Sequence, residues 1–138
     1  MKHVKAAVVE HELDSVAITH AVHNQRCGAV VTFLGVVRNH DGDMDVEAID
    51  YSAHDSAQTV LHAIALELVH KPGIHGIEVW HRIGHLRVGD LAMVVAVAGE
   101  HRREAFDTAE ELVERVKKSV PVWKRQWMTD GTYAWSGL

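Results

Sequence analysis

Two lysines, Lys117 and Lys124, bracket one proline in the segment Lys117-Lys118-Ser119-Val120-Pro121-Val122-Trp123-Lys124-Arg125. A helical pattern runs into Pro121 and an extended, Trp-containing pattern leaves it, so the two ammonium groups belong to different elements joined by a tight corner. Such a corner can aim two cations at one small anionic ligand. The chain has 14 Lys and Arg against 19 Asp and Glu, a formal charge of -5. Cations placed together are therefore a local device here, and the overall charge argues against binding nucleic acid.

Three further basic residues occur where ligands are commonly met. Arg38 follows the apolar run Ala29–Val37 and opens a polar loop. His101 and Arg102 stand at the start of the longest helical pattern, where free backbone N–H groups favour anions. At about 100° per residue, Ala105, Phe106, Ala109, Leu112, Val113, Val116 and Val120 form one apolar stripe with Arg102 at its start. Lys117 returns to within roughly 20° of Phe106 and so borders the buried face, whereas Lys118 points nearly opposite. The plain alternative for Lys117 is a snorkelling side chain covering the core edge. Strand alternation sets Lys124 opposite Trp123 and Arg125; with the tryptophans packed inward, Lys124 faces a cleft on the other side. Phosphate or carboxylate binding is the chemistry these cations share if the fold unites them.

The elements that must position them are read from periodicity. Strands are expected at Lys5–Val9, Gly28–Val37, Val46–Tyr51, Ile77–Ile83, Leu91–Ala98, Val122–Trp127 and Thr132–Trp135. Helices are expected at Leu13–Val22, Asp55–His70 and Arg102–Val120. Leu13, Val16, Ala17 and Ala21 form the first helix's inner face. The continuous apolar run at 28–37 reads as a buried strand, and Ile77, Val79, His81 and Ile83 alternate as a half-buried one. Strict βαβ alternation is missing, so the expectation is one α+β domain over residues 1–138, a mixed or antiparallel sheet with helices on one face. The apolar edges of so small a sheet favour self-association.

Cys27 is a lone cysteine and reads as a small buried hydrophobe. Among 12 histidines, His81 and His85 are four apart, but Ile83-Gly84 between them reads as strand into turn, so no metal site is assigned. No secretory leader pattern and no run of about 20 apolar residues is seen; the expectation is a cytoplasmic protein with no membrane contact.

Four ordered blocks carry a resemblance. They are Gly28-Ala29-Val30-Val31-Thr32-Phe33-Leu34-Gly35-Val36-Val37-Arg38-Asn39; His81-Arg82-Ile83-Gly84 with Val88-Gly89-Asp90; His101-Arg102 with Ala105-Phe106; and Lys117 through Arg125. With them the chain resembles, over nearly its full length, the catalytic (large) subunit family of molybdopterin synthase.

The resemblance implies an α/β hammerhead-type fold, a homodimer, and a small ubiquitin-like sulfur-carrier subunit at each end, completing a heterotetramer. The carrier's C-terminal Gly-Gly thiocarboxylate would deliver two sulfurs to cyclic pyranopterin monophosphate, with no metal or organic cofactor. Carried over by position, Lys117 is the essential lysine and Lys124 the second active-site lysine. Arg38, His101 and Arg102 belong to the phosphate and pterin pocket, Val36, Val37, Arg125 and Gln126 to its lining, and Phe33 helps to shape it. The chain departs from the family pattern at Ser52, where Glu usually follows Tyr, at Gln126, where Glu is frequent, and in a tail ending at Leu138. The competing functional classes are a binding module that docks a ubiquitin-like tail or a phosphorylated small molecule without chemistry, and a purely structural dimerisation domain.

Overall fold

A computed structural model describes residues 1–138. In chain order the elements are β1 (His3–Val9), α1 (Ser15–Ala21), β2 (Ala29–Val36), β3 (His40–Asp41), β4 (Met44–Ala53), α2 (Ala57–Val69), β5 (Ile74–Arg82), β6 (Gly84–Arg87), β7 (Leu91–Gly99), α3 (Arg102–Ser119), β8 (Val122–Met128) and β9 (Tyr133–Gly137). The class is α+β as expected. Strands β1, β5, β7 and β2 form one sheet in that order. β1 runs parallel to β5, and β7 is antiparallel to both β5 and β2.

β7 is apolar throughout because both of its faces are covered. Met93, Val95 and Val97 point into the main core with Leu61, Ile64, Leu68, Leu112 and Val116 of α2 and α3. Val94, Ala96 and Ala98 point the other way, onto Leu13, Ile18 and Val22. The helices therefore cover both faces of this sheet rather than one. The inner face of α1 also differs from the expected one. Asp14 caps the helix by accepting from the Ala17 N–H at 3.0 Å, and this phase buries Ile18 while Val16, Ala17 and Ala21 are exposed. β5 is likewise covered on both sides, so Ile77, Glu78, Val79 and His81 are all buried instead of alternating.

The second sheet is centred on β4, with β6 along one side and β8 along the other, and β9 continues beyond β8. β6 starts within Ile83-Gly84, read from sequence as strand into turn, and was not itself expected. Gly84 takes φ 101°, a conformation open to glycine, and this reverses the chain from β5 into β6. Val37, Val46, Ile49, Leu86, Ala92 and Met128 form the apolar seam of this sheet.

β2 was expected as a buried strand and is instead the edge of the first sheet. Leu34 is 44% and Val36 51% exposed. Phe106, assigned to the buried stripe of α3, is 60% exposed, and Thr108 is buried in its place.

Candidate functional site

α3 ends because Pro121 cannot continue it. Val120, the residue before the proline, takes the extended conformation at φ -78° and ψ 125°. Its N–H still donates to the Val116 carbonyl at 3.0 Å, while the Pro121 carbonyl accepts from the His54 N–H at 3.0 Å. The corner thus delivers β8 onto β4 with Tyr51 opposite Lys124 and Ile49 opposite Gln126. Side chains alternate along β8. Val122, Lys124, Gln126 and Met128 turn inward, and Trp123, Arg125 and Trp127 turn outward. Lys124 does face a cleft, but the tryptophans are on the outer surface, not in the core.

That cleft is a cavity of about 340 Å³ between the two sheets. Phe33, Val36, Val37, Arg38, Lys117, Lys124 and Gln126 all line it, so seven of the residues singled out from sequence meet there. The loop bearing Arg38 is anchored from both sides. The Val37 N–H donates to the Asp90 carbonyl at 3.0 Å and the Val37 carbonyl accepts from the Gly89 N–H at 2.8 Å. Arg38 itself lies 3.7 Å from Asp41 across an exposed ion pair, which holds it weakly and leaves it available to a ligand.

The cations sense one another. Burial is the main cause that lowers the pKa of Lys124; Lys117 and Arg38 push it further down, against the opposing pull of Asp41. A half-buried ammonium among like charges favours an anionic ligand strongly, because the ligand relieves repulsion as well as forming new contacts.

Three expected residues are not in this cavity. Arg125 points outward, donating to Asp50 Oδ2 at 3.2 Å and stacking over Trp127, Trp135 and Tyr133 at 4.7, 5.1 and 5.5 Å. Strand alternation against Lys124 already separated the two side chains. His101 and Arg102 begin the helix that Lys117 ends. Fifteen residues at 1.5 Å rise set Arg102 roughly 22 Å from Lys117 along the axis, beyond any small ligand. Within one chain these two groups do not converge with the lysines.

Other lining residues escaped the sequence reading, notably Tyr51, His81, Ile49 and Met93. A signal existed for His81, which shares an alternating face with Ile77 and Val79. Tyr51 sits in a strand with no local cue, and its place depends on pairing with β8, a contact of distant segments.

The described chain also compares with known proteins. The family model described as MoaE protein matches residues 8–119. A molybdopterin synthase catalytic subunit of Emericella nidulans is 37% identical over 126 residues, which is 91% of this chain and 65% of that relative. The chain thus spans just under two thirds of that protein's length. The crystal structure of molybdopterin synthase from Staphylococcus aureus superposes with a TM-score of 0.87 at 32% identity, covering 95% of this chain and 96% of that one. A complex of subunits 1 and 2 of molybdopterin-converting factor from Helicobacter pylori shares the fold, with a TM-score of 0.75 at 18% identity over 95% of this chain and 89% of that one.

Proposed function

This chain belongs to the MoaE protein family, and from that premise we propose that it is the catalytic subunit of a molybdopterin synthase. It takes sulfur from the C-terminal thiocarboxylate of a small ubiquitin-like carrier and installs it on cyclic pyranopterin monophosphate. The observation that carries this reading is the meeting of Arg38, Lys117 and Lys124 in one cavity in a chain of net negative charge. Both reactants are anions that repel in water. A cationic cavity that holds them together contributes mainly by positioning.

In the proposed sequence the thiocarboxylate sulfur attacks an electron-poor, oxygen-bearing carbon of the pterin side chain: the C–S bond forms, the C–O bond of that carbon breaks, the oxygen leaves as water, and an acyl-linked thioester adduct remains. Water then adds to the acyl carbon, the carbon–sulfur bond on the carrier side breaks, and the carrier leaves as a carboxylate. Lys117 stabilises the oxyanion that develops on the acyl oxygen. Lys124, with its lowered pKa, binds the substrate and donates a proton to the leaving oxygen. Arg38 holds the phosphate.

A homodimer is part of the same reading, and β2 supports it. This edge strand exposes Leu34 and Val36, and Phe106 lies exposed on α3. Apolar edges of this kind seek a partner strand. Antiparallel pairing of β2 with its copy about a two-fold axis sets the Ala29 end of one chain against the Val36 end of the other. The Ala29 end adjoins Glu100, whose carbonyl accepts from Gly28 at 3.3 Å, and hence His101 and Arg102. The Val36 end opens on the cavity. The partner copy would thereby bring its His101 and Arg102 to the pocket that its own chain cannot reach.

The test is Lys117→Ala assayed with thiocarboxylated carrier and cyclic pyranopterin monophosphate. Product formation is expected to fall by at least ~100-fold, the scale of losing one oxyanion-stabilising group, with the circular dichroism spectrum and oligomeric state unchanged. Near-normal turnover would refute the assignment of Lys117, and binding of both reactants by the wild-type protein without product would favour a non-catalytic docking module.

A further inference from the structure

The cavity changes character with depth. Arg38 and Lys117 are exposed and Lys124 is half-buried, whereas Tyr51 is partly covered and Gln126 and His81 are buried. The cations therefore stand at the mouth, and the floor carries uncharged polar groups. His81 is the deepest of these, only 2% exposed.

Its geometry leaves one nitrogen committed and one free. Nδ1 donates to the Arg82 backbone carbonyl at 2.8 Å. That bond puts the proton on Nδ1 and leaves Nε2 with an open lone pair. Nε2 has no partner within the chain, and the ring lines the cavity. Tyr51 fixes the plane of the ring by an edge-on contact at 5.0 Å and 74°. Burial lowers the pKa of His81 to about 4, so it stays neutral near pH 7. Its neighbours around the cavity that carry or can carry charge are Tyr51, Arg38, Lys117 and Lys124. Burial raises the pKa of the Tyr51 phenol, keeping it a neutral donor.

Nε2 makes no hydrogen bond within the chain and opens on the cavity, so it offers an acceptor to whatever fills the floor. A ligand that displaces solvent from the floor must supply a donor there or leave the acceptor unpaired. A cyclic phosphodiester cannot, since it presents only acceptors to a lone pair, and any phosphate would leave its charge among neutral groups away from the cations. An uncharged nitrogen heterocycle can, through its ring N–H or amino groups.

We propose that His81 is a substrate-recognition residue whose Nε2 accepts a hydrogen bond from an N–H of the ligand's heterocycle, beside the Tyr51 hydroxyl. The ligand enters ring first and leaves its phosphate with Arg38, Lys117 and Lys124 at the mouth. This rests on the proposed reading of the pocket as the site for a phosphorylated pterin.

Three variants, assayed with thiocarboxylated carrier, separate recognition from packing. His81→Phe keeps a planar ring and removes the acceptor. His81→Asn keeps a donor to the Arg82 carbonyl and also removes the deep acceptor. His81→Gln restores an acceptor near the Nε2 position. KM for cyclic pyranopterin monophosphate is expected to rise about 10-fold in the first two and to recover to within ~3-fold in the third, as for loss and return of one buried hydrogen bond. KM for the carrier is expected to stay unchanged, as is binding of inorganic phosphate, which Arg38→Ala weakens. An unchanged pterin KM in His81→Asn overturns the proposal while leaving the pocket reading intact. So does an equal loss in all three variants that tracks their melting temperatures. Failure of the wild-type protein to turn over this pair of substrates overturns the pocket reading and the His81 assignment with it.

Discussion

His81 is also the residue whose protonation couples most directly to folding. Its ordinary value is 6.5 and burial lowers it to about 4. Between those pH values the unfolded chain binds a proton that the native ring refuses. Stability therefore increases with pH across this window and is lost on acidification, by about 3 kcal/mol from pH 7 to pH 4. Urea unfolding of the wild-type protein and His81→Gln at pH 7, 5.5 and 4 measures the difference. The variant is expected to lose less stability by roughly that amount, and identical pH slopes would show that His81 does not titrate as described. Lys117 shows how much one side chain's role depends on its position. The helical wheel set it at the border of the buried face and separated it from Lys118, and its amine does reach the cavity that Lys118 does not line. Arg125 was expected in the pocket lining but does not line this cavity, because adjacent residues of a strand face opposite ways.

Elements were legible in the sequence where one periodicity dominated. α3 was bounded by Pro121, and α2 and β7 were found at Ala57–Val69 and Leu91–Gly99, within two residues of their expected ends. What failed was inference from pattern to neighbours. An apolar run identifies a strand that is covered on both faces, but it does not say whether the covering atoms belong to the same chain. For β7 they do, whereas β2 leaves Leu34 and Val36 exposed in this chain. α1 was assigned the wrong face because seven residues sample less than two turns. Its packing is tight where it ends. A Cβ on Gly76 would lie 2.8 Å from the Val22 carbonyl oxygen and 3.1 Å from its Cβ. Gly76→Ala must push α1 away from β5 and is expected to cost about 1–3 kcal/mol. Gly137→Ala, where a Cβ meets nothing within 4 Å, should stay within about 0.5 kcal/mol of the wild type. Calorimetric melting of both variants checks the contrast, and equal melting temperatures would mean that the helix yields without cost.

At the scale of the whole molecule, the proposed two-fold dimer through β2 would let the 18-residue helix α3 give Lys117 to its own pocket and His101 and Arg102 to the partner's. Mixing Arg102→Ala and Lys117→Ala subunits tests this. Each variant alone is expected to be inactive. In a mixed dimer, one pocket has its own Lys117 and the partner's Arg102 intact, while the other lacks both. With random exchange, half of the dimers are mixed and each holds one intact site, so activity should return to about a quarter of wild type. Mixtures that stay inactive after unfolding and refolding together would exclude a pocket shared in this way.

The sequence by itself determined which residues are chemically available and in what local conformation. It placed Lys117 and Lys124 on either side of a helix-to-strand corner, Arg38 at a strand end, and the class of the fold in its order of strands and helices. Those are consequences of backbone sterics and of periods of two and 3.6, which act over a few residues. Only the tertiary structure decided that Arg38, Lys117 and Lys124 share a cavity floored by Tyr51 and His81, and that His101 and Arg102 stand away from it at the opposite end of α3. These outcomes depend on the pairing of β4 with β8 and on the course of α3 across the sheet. Such contacts join segments tens of residues apart, and no local pattern along the chain encodes their distance.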